Sequence, residues 1–245
     1  MIKYDNSKQA LFAPQSLNFE SDVSKCILIF DDIVWEDYVL HHDNVAVVPV
    51  KNTFGRVFNN YLLLKNNEED ILLVFPAFGA SASAVELELL IASGVNIFLS
   101  FGTCGRLDNK IPKNSIIIPT SAIREEGTSY HYLSDSDEVS QKKDNISLIQ
   151  RIMSKESIYY SLGKIWTTDA VYRETENKVD MMIEKGCIGV DMELSALLSV
   201  AKFRGVNLAS FLIGDDLVLG KNSSSLKRDN EKIFSVALEI LNNLA

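Results

Sequence analysis

The chain has 245 residues, 47% of them hydrophobic, which is enough apolar material for one large core. A formal net charge of −9 argues against nucleic acid or an anionic membrane as a partner through bulk charge, and leaves room only for a small anion held locally. Three widely spaced cysteines, Cys26, Cys104 and Cys187, lack metal-ligand spacing, so no metal is expected, and Cys26 and Cys187, in or beside apolar runs, read as reduced, buried hydrophobes. Met1–Asn6 carries no apolar signal-peptide core and no apolar run reaches membrane-spanning length, so the expectation is a cytoplasmic protein.

Short β-rich runs alternate with helical patterns, the signature of an α/β sheet, and no linker divides the chain, so one domain over 1–245 is expected. Strands are predicted at Cys26–Phe30, Val45–Val50, Tyr61–Lys65, Ile71–Phe75, Val95–Leu99, Ser115–Pro119, Gly163–Trp166, Ile188–Val190 and Leu208–Ile213. Helices are predicted at Ala82–Ser93, Ile146–Ser154, Glu174–Lys185, Met192–Phe203 and Leu226–Asn243. Asn66–Asp70 reads as an exposed turn, Ser134–Asp144 as a surface loop, and Asn222–Ser225 as a loop before the last helix. Four strands end in polar or small residues: Asp31-Asp32, Pro76-Ala77-Phe78-Gly79, Ser100-Phe101-Gly102-Thr103 and Gly214-Asp215-Asp216. Parallel neighbours would gather these ends into one cleft.

Gly102-Thr103-Cys104-Gly105 follows a buried strand and reads as a small-residue turn offering backbone N–H groups and a hydroxyl. Glu193 falls on the same helical face as Ala196, Leu197, Val200 and Ala201, where a carboxylate is costly unless hydrogen-bonded or used. The helix dipole also favours an acid in that first turn. Asp215, after Phe211-Leu212-Ile213, is a candidate general acid or an ordinary turn aspartate. The segment Gly127–Tyr132 reads as a ligand-stacking loop or a satisfied surface loop.

Four segments carry a family resemblance. Gly102–Leu107 followed by Ile117–Tyr132, then Thr168–Glu174, then Val190–Leu197 resemble the purine nucleoside and uridine phosphorylases, over about residues 20 to 245. The resemblance implies an α/β domain with a mixed, partly barrel-like central sheet flanked by helices. It implies homo-oligomers built from dimers, typically hexamers, in which a neighbouring subunit completes each site. It implies cleavage of a nucleoside N-glycosidic bond, with phosphate as co-substrate and no cofactor; related nucleosidases use water. By motif, Glu193 would bind the ribose hydroxyls with Met192 against the sugar, and Thr103 with Gly102 would lie where nucleophile and ribose meet. Asp215 would assist departure of a purine, and Phe78, Gly105, Val171 and Tyr172 would flank the base. The Glu126–Tyr132 loop is closer to uridine-cleaving members, so purine and pyrimidine both stay open.

Departures concern phosphate. The family's arginine three residues before Thr103 is Ser100 here, and its Gly-Asp-Pro-type loop is Phe30–Trp35, with no arginine and with Asp31 and Asp32 expected to repel an anion. Lys51, Arg56 or Arg106 are the replacements available. Three functions survive: a phosphorylase with a rebuilt anion site, a hydrolytic nucleosidase, and a non-catalytic nucleoside-binding relative.

Overall fold

The computed structural model describes residues 4–245 except 18, 20, 21, 38, 49, 52–56, 59, 60, 66–68, 135 and 221–223, with the backbone alone for 50, 51, 57 and 58. Arg56, most of the turn at Asn66–Asp70 and part of the Asn222–Ser225 loop fall outside the described residues. In chain order the elements begin with β1 (Lys25–Phe30), α1 (Asp32–Asp37), β2 (Val45–Val47), β3 (Val50–Lys51), β4 (Val57–Phe58), β5 (Tyr61–Leu64), β6 (Ile71–Val74) and α2 (Ala80–Ala92). The middle of the chain forms β7 (Ile97–Arg106), β8 (Ile116–Glu125), β9 (Glu138–Ser140), α3 (Lys143–Lys155) and β10 (Tyr160–Thr168). The rest forms α4 (Glu176–Glu184), β11 (Cys187–Asp191), α5 (Leu194–Arg204), β12 (Asn207–Leu217) and α6 (Asn230–Asn243).

Ten strands form one mixed sheet in the order β11-β10-β8-β12-β7-β1-β6-β5-β2, with β9 on β8. A further antiparallel pairing of β11 with β7 closes β7, β12, β8, β10 and β11 into a barrel. The fold is thus the expected α/β architecture with a partly closed mixed sheet. Residues of β1 alternate between two layers, as the two-residue period of a strand requires. Cys26, Leu28 and Phe30 pack with Leu87, Leu90, Leu197 and Val200 of α2 and α5. Ile27 and Ile29 join Ile149, Phe234 and Ile240 of α3 and α6 on the other face. Phe101 and Phe211 stack between β7 and β12, ring centroids 5.2 Å apart.

Two expectations are corrected. Ser134–Asp144 is not all surface loop, because Glu138–Ser140 pair with β8 as β9 and Lys143 begins α3. Gly102–Gly105 is not a turn but the second half of β7, and neither glycine has positive φ. β7 pairs with β1 up to Phe30↔Gly102 and then with β11 through Gly105↔Val190. The glycines serve close approach: a Cβ on Gly102 would stand 2.5 Å from the Phe30 carbonyl oxygen, and one on Gly105 would meet Val218 at 2.7 Å and Val190 at 2.9 Å. Helix α1 is an addition to the predicted elements; the Asp31 carboxylate accepts the Val34 N–H at 2.9 Å and starts it.

Candidate active site

Where β7 changes partner from β1 to β11, the sheet parts. The opening is a cleft of about 410 Å³. The parallel strands β1, β7 and β12 send their carboxyl ends to it. Phe30 arrives from β1, Thr103, Cys104 and Gly105 from β7, Val190 and Asp191 from β11, and Asp215, Asp216 and Leu217 from β12, with Val218 just beyond. Phe78, Val171, Glu174, Met192 and Glu193 complete the wall.

Glu193 stands just before α5, at its cap position, rather than inside the helix. Its Oε1 accepts the Gly79 N–H at 2.7 Å and its Oε2 the Met192 N–H at 3.3 Å. Burial, then the charge of Asp191, pushes its carboxyl above the ordinary range. Asp191 is anchored instead to the scaffold. Its Oδ1 accepts the Thr167 hydroxyl at 2.6 Å, and its Oδ2 accepts the Leu194 N–H at 2.8 Å and the Glu193 N–H at 3.3 Å. Asp191 therefore caps α5 and fixes the Met192–Glu193 turn, while burial raises its own carboxyl. Behind it, the Ser195 hydroxyl donates to Glu126 at 2.8 Å. Burial also raises Glu174 and pushes the Cys104 thiol well up, which leaves Cys104 a neutral part of the wall.

Of the residues singled out in the sequence, Thr103, Met192, Glu193, Phe78, Gly105, Val171 and Asp215 line this cleft together. Tyr172 does not; it is 97% exposed. Gly102 lies beneath Phe30, and Ser100 is buried in the sheet opposite Leu28 and Ser210. The Lys51 side chain lies outside the described residues. Asp31 does not line the cleft. Its carboxylate is fully buried and paired with Arg228, so its charge is answered inside the protein rather than presented to a ligand. Arg106 is also buried, and its guanidinium donates to the carbonyls of Ile111 and Asp215. The Arg124–Tyr132 loop is internally satisfied: Arg124 donates to Ser129 Oγ and to the carbonyls of Leu133, Ser134 and Ser136.

Sequence reasoning did not single out Phe30 as a wall residue, nor Lys113, whose ammonium lies 2.9 Å from Asp215 and 2.5 Å from Asp216. Phe30 was legible only as the end of an apolar strand, and Lys113 had no motif around it. Among the described residues, no group of three or more His, Cys, Asp or Glu is placed to hold a metal ion, and no helix is long and apolar enough to cross a membrane.

A cleft at the carboxyl ends of parallel strands, lined by Gly105 and walled by a buried carboxylate, defines an α/β protein built to hold a small polar ligand. The chain belongs to the phosphorylase superfamily, whose family model matches residues 27–244. It is 27% identical over 222 residues to a DeoD-type purine nucleoside phosphorylase of Buchnera aphidicola subsp. Acyrthosiphon pisum, covering 90% of this chain and 94% of that protein. Its fold is similar to that of a purine nucleoside phosphorylase from Toxoplasma gondii solved with immucillin-H, with TM-score 0.73, 19% identity, and coverage of 89% of this chain and 90% of that one. It is similar to that of an AMP nucleosidase from Bacteroides thetaiotaomicron as well, with TM-score 0.71, 20% identity, and coverage of 90% and 88%.

Proposed function

We propose that this cleft cleaves the N-glycosidic bond of a nucleoside by phosphorolysis, giving the free base and ribose 1-phosphate. The observation that carries the reading is the Glu193 carboxylate, buried and held by the Gly79 and Met192 amides in the same cleft as Thr103 and Asp215. A carboxylate so placed accepts the hydroxyls of a ribose and supports the positive charge that develops on the sugar as the bond to the base breaks. Met192 packs against the sugar, Thr103 lies beside the reacting carbon, and Phe78, Gly105 and Val171 flank the base that Asp215 faces. The C1′–N bond breaks with its electron pair going to the base, and an oxygen of the incoming phosphate bonds C1′. Purines are the favoured bases, because an acid at position 215 suits protonation of a purine ring nitrogen. The working unit on this reading is a cytoplasmic homo-oligomer built from dimers, with Lys51 and Arg56 as the cations a neighbouring subunit would lend.

A second reading, hydrolysis, is favoured by one feature. Among the described residues, no Lys or Arg lines the cleft, and a phosphate normally meets arginine or fixed N–H groups. Water needs no such site. Base release from purine and pyrimidine nucleosides, each with and without phosphate, tests both. Phosphate-dependent release supports phosphorolysis, equal release without phosphate supports hydrolysis, and no release from a folded protein refutes both.

A further inference from the structure

We propose that Glu126 is a positioning residue that fixes the sugar side of the cleft relative to its base side. The inference rests on the glycosidic reading above and adds to it what holds the two halves of the site in register.

Glu126 follows directly on β8, in the segment Glu126–Tyr132, whose residues do not line the cleft. It is buried, and a carboxylate is costly there unless its oxygens are hydrogen-bonded. Both are. Oε2 accepts the Thr128 N–H at 2.6 Å and the Ser129 N–H at 2.9 Å, and Oε1 accepts the Ser195 hydroxyl at 2.8 Å. One oxygen folds its own loop and the other reaches across to α5.

Ser195 belongs to the first turn of α5, directly after the Met192–Glu193 turn. Its N–H donates to the Thr167 hydroxyl oxygen at 3.1 Å, and that hydroxyl donates to Asp191 at 2.6 Å. Glu126, Thr167, Asp191 and Ser195 are all buried. A satisfied buried network of this kind specifies one arrangement of the elements it joins, where apolar packing would tolerate several. Through it, Glu126 holds the turn that carries Glu193.

The next residue grips the other side. The Gly127 N–H donates to Asp169 Oδ2 at 2.9 Å. Asp169 leads through Ala170 into Val171, and the Arg173 N–H closes that turn on the Ala170 carbonyl at 2.7 Å. The loop between the two grips is stiffened by Arg124, which donates to Ser129 Oγ at 2.8 Å, lies 4.1 Å over the Tyr130 ring, and accepts the Tyr130 hydroxyl on its carbonyl at 2.8 Å. Adjoining residues therefore hold the Glu193 turn and the Val171 turn. A shift of about 1 Å between such groups costs on the order of a hundredfold in rate.

The test measures kcat and KM, well below the melting temperature of every variant, on whichever of guanosine, inosine, adenosine and uridine the unsubstituted protein cleaves fastest. Ser195→Ala cuts the sugar-side link, and is expected to lower kcat about tenfold with KM within about threefold. Asp169→Ala cuts the base-side link, and should raise KM about tenfold with kcat within about threefold. Glu126→Ala should show both changes. Glu126→Gln should recover most of each, because its amide oxygen keeps the Thr128 and Ser129 bonds and its amide N–H donates to Ser195 Oγ. Variants that lower the melting temperature with kcat and KM unchanged, or the same pattern of change from Ser195→Ala and Asp169→Ala, overturn the role of Glu126 and leave the glycosidic reading intact. If Glu126→Ala fails to fold, the two single-link variants decide. An unsubstituted protein that releases no base from any of these nucleosides overturns that reading and this role together.

Discussion

The carboxylate of Glu193 and the backbone N–H of Gly79, 114 residues apart in the chain, meet at 2.7 Å across the cleft. The contact joins the turn before α5 to the turn before α2, so this side of the cleft, the proposed ribose site, is built from two helix starts. Glu193→Ala removes the acceptor and the charge together. Base release is expected to fall by about a hundredfold or more, the size of effect seen when a reacting sugar loses its positioning contact. The melting temperature should move by no more than about 5 °C, because loss of two hydrogen bonds is offset by relief of a desolvated charge. Near-normal turnover in a folded Glu193→Ala protein would remove Glu193 from the site.

The raised carboxyl of Glu193 also sets a pH dependence of stability. Burial and Asp191 make the folded state hold a proton that the unfolded chain releases in the ordinary carboxylate range. This contribution is fully present below the unfolded value and is lost as pH rises through the folded one. Denaturant unfolding from about pH 4 to about pH 8 should show a falling stability that Glu193→Gln partly flattens, since an amide does not titrate there. Parallel curves for the two proteins would refute the assignment.

Asp31 and Arg228 form a pair in which the carboxylate is fully buried. Arg228→Met leaves that buried charge to the Val34 N–H without its guanidinium, and is expected to cost about 3 kcal/mol in urea unfolding. Adding Asp31→Asn should recover much of the loss. A single substitution that costs nothing would mean the pair is not closed in solution.

Gly102 lies under the Phe30 backbone with no room for a methyl group. Gly102→Ala must push β1 from β7 where the cleft opens, so both melting temperature and base release should drop. The loss should exceed about 1 kcal/mol, as for overpacking a tight core site. Retained stability would show that β1 and β7 separate more easily here than their register suggests.

Much of the fold was legible in the sequence. Apolar runs of strand length located β1, β5, β6 and the first halves of β7 and β8, because burial on both faces leaves an unbroken hydrophobic signature. Residue types drew attention to Gly102–Gly105 and Asp191-Met192-Glu193, and both segments contribute to the wall of the cleft. Their geometry was not legible. Gly102–Gly105 looks like a turn in one dimension, since glycine marks both reversal and close approach, and only the neighbours Phe30, Val190 and Val218 tell which applies.

By itself the sequence determined the α/β class and the alternation of layers, both of which follow from local periodicity. The tertiary structure decided what each charge meets. Asp31 turned from an expected repellent of anions into the partner of Arg228, and Asp191 became a helix cap. Lys113 was brought onto Asp216 from 103 residues away in sequence, with Asp215 beside it. Charges act through distance in space, and no spacing along the chain encodes that distance until the sheet has closed.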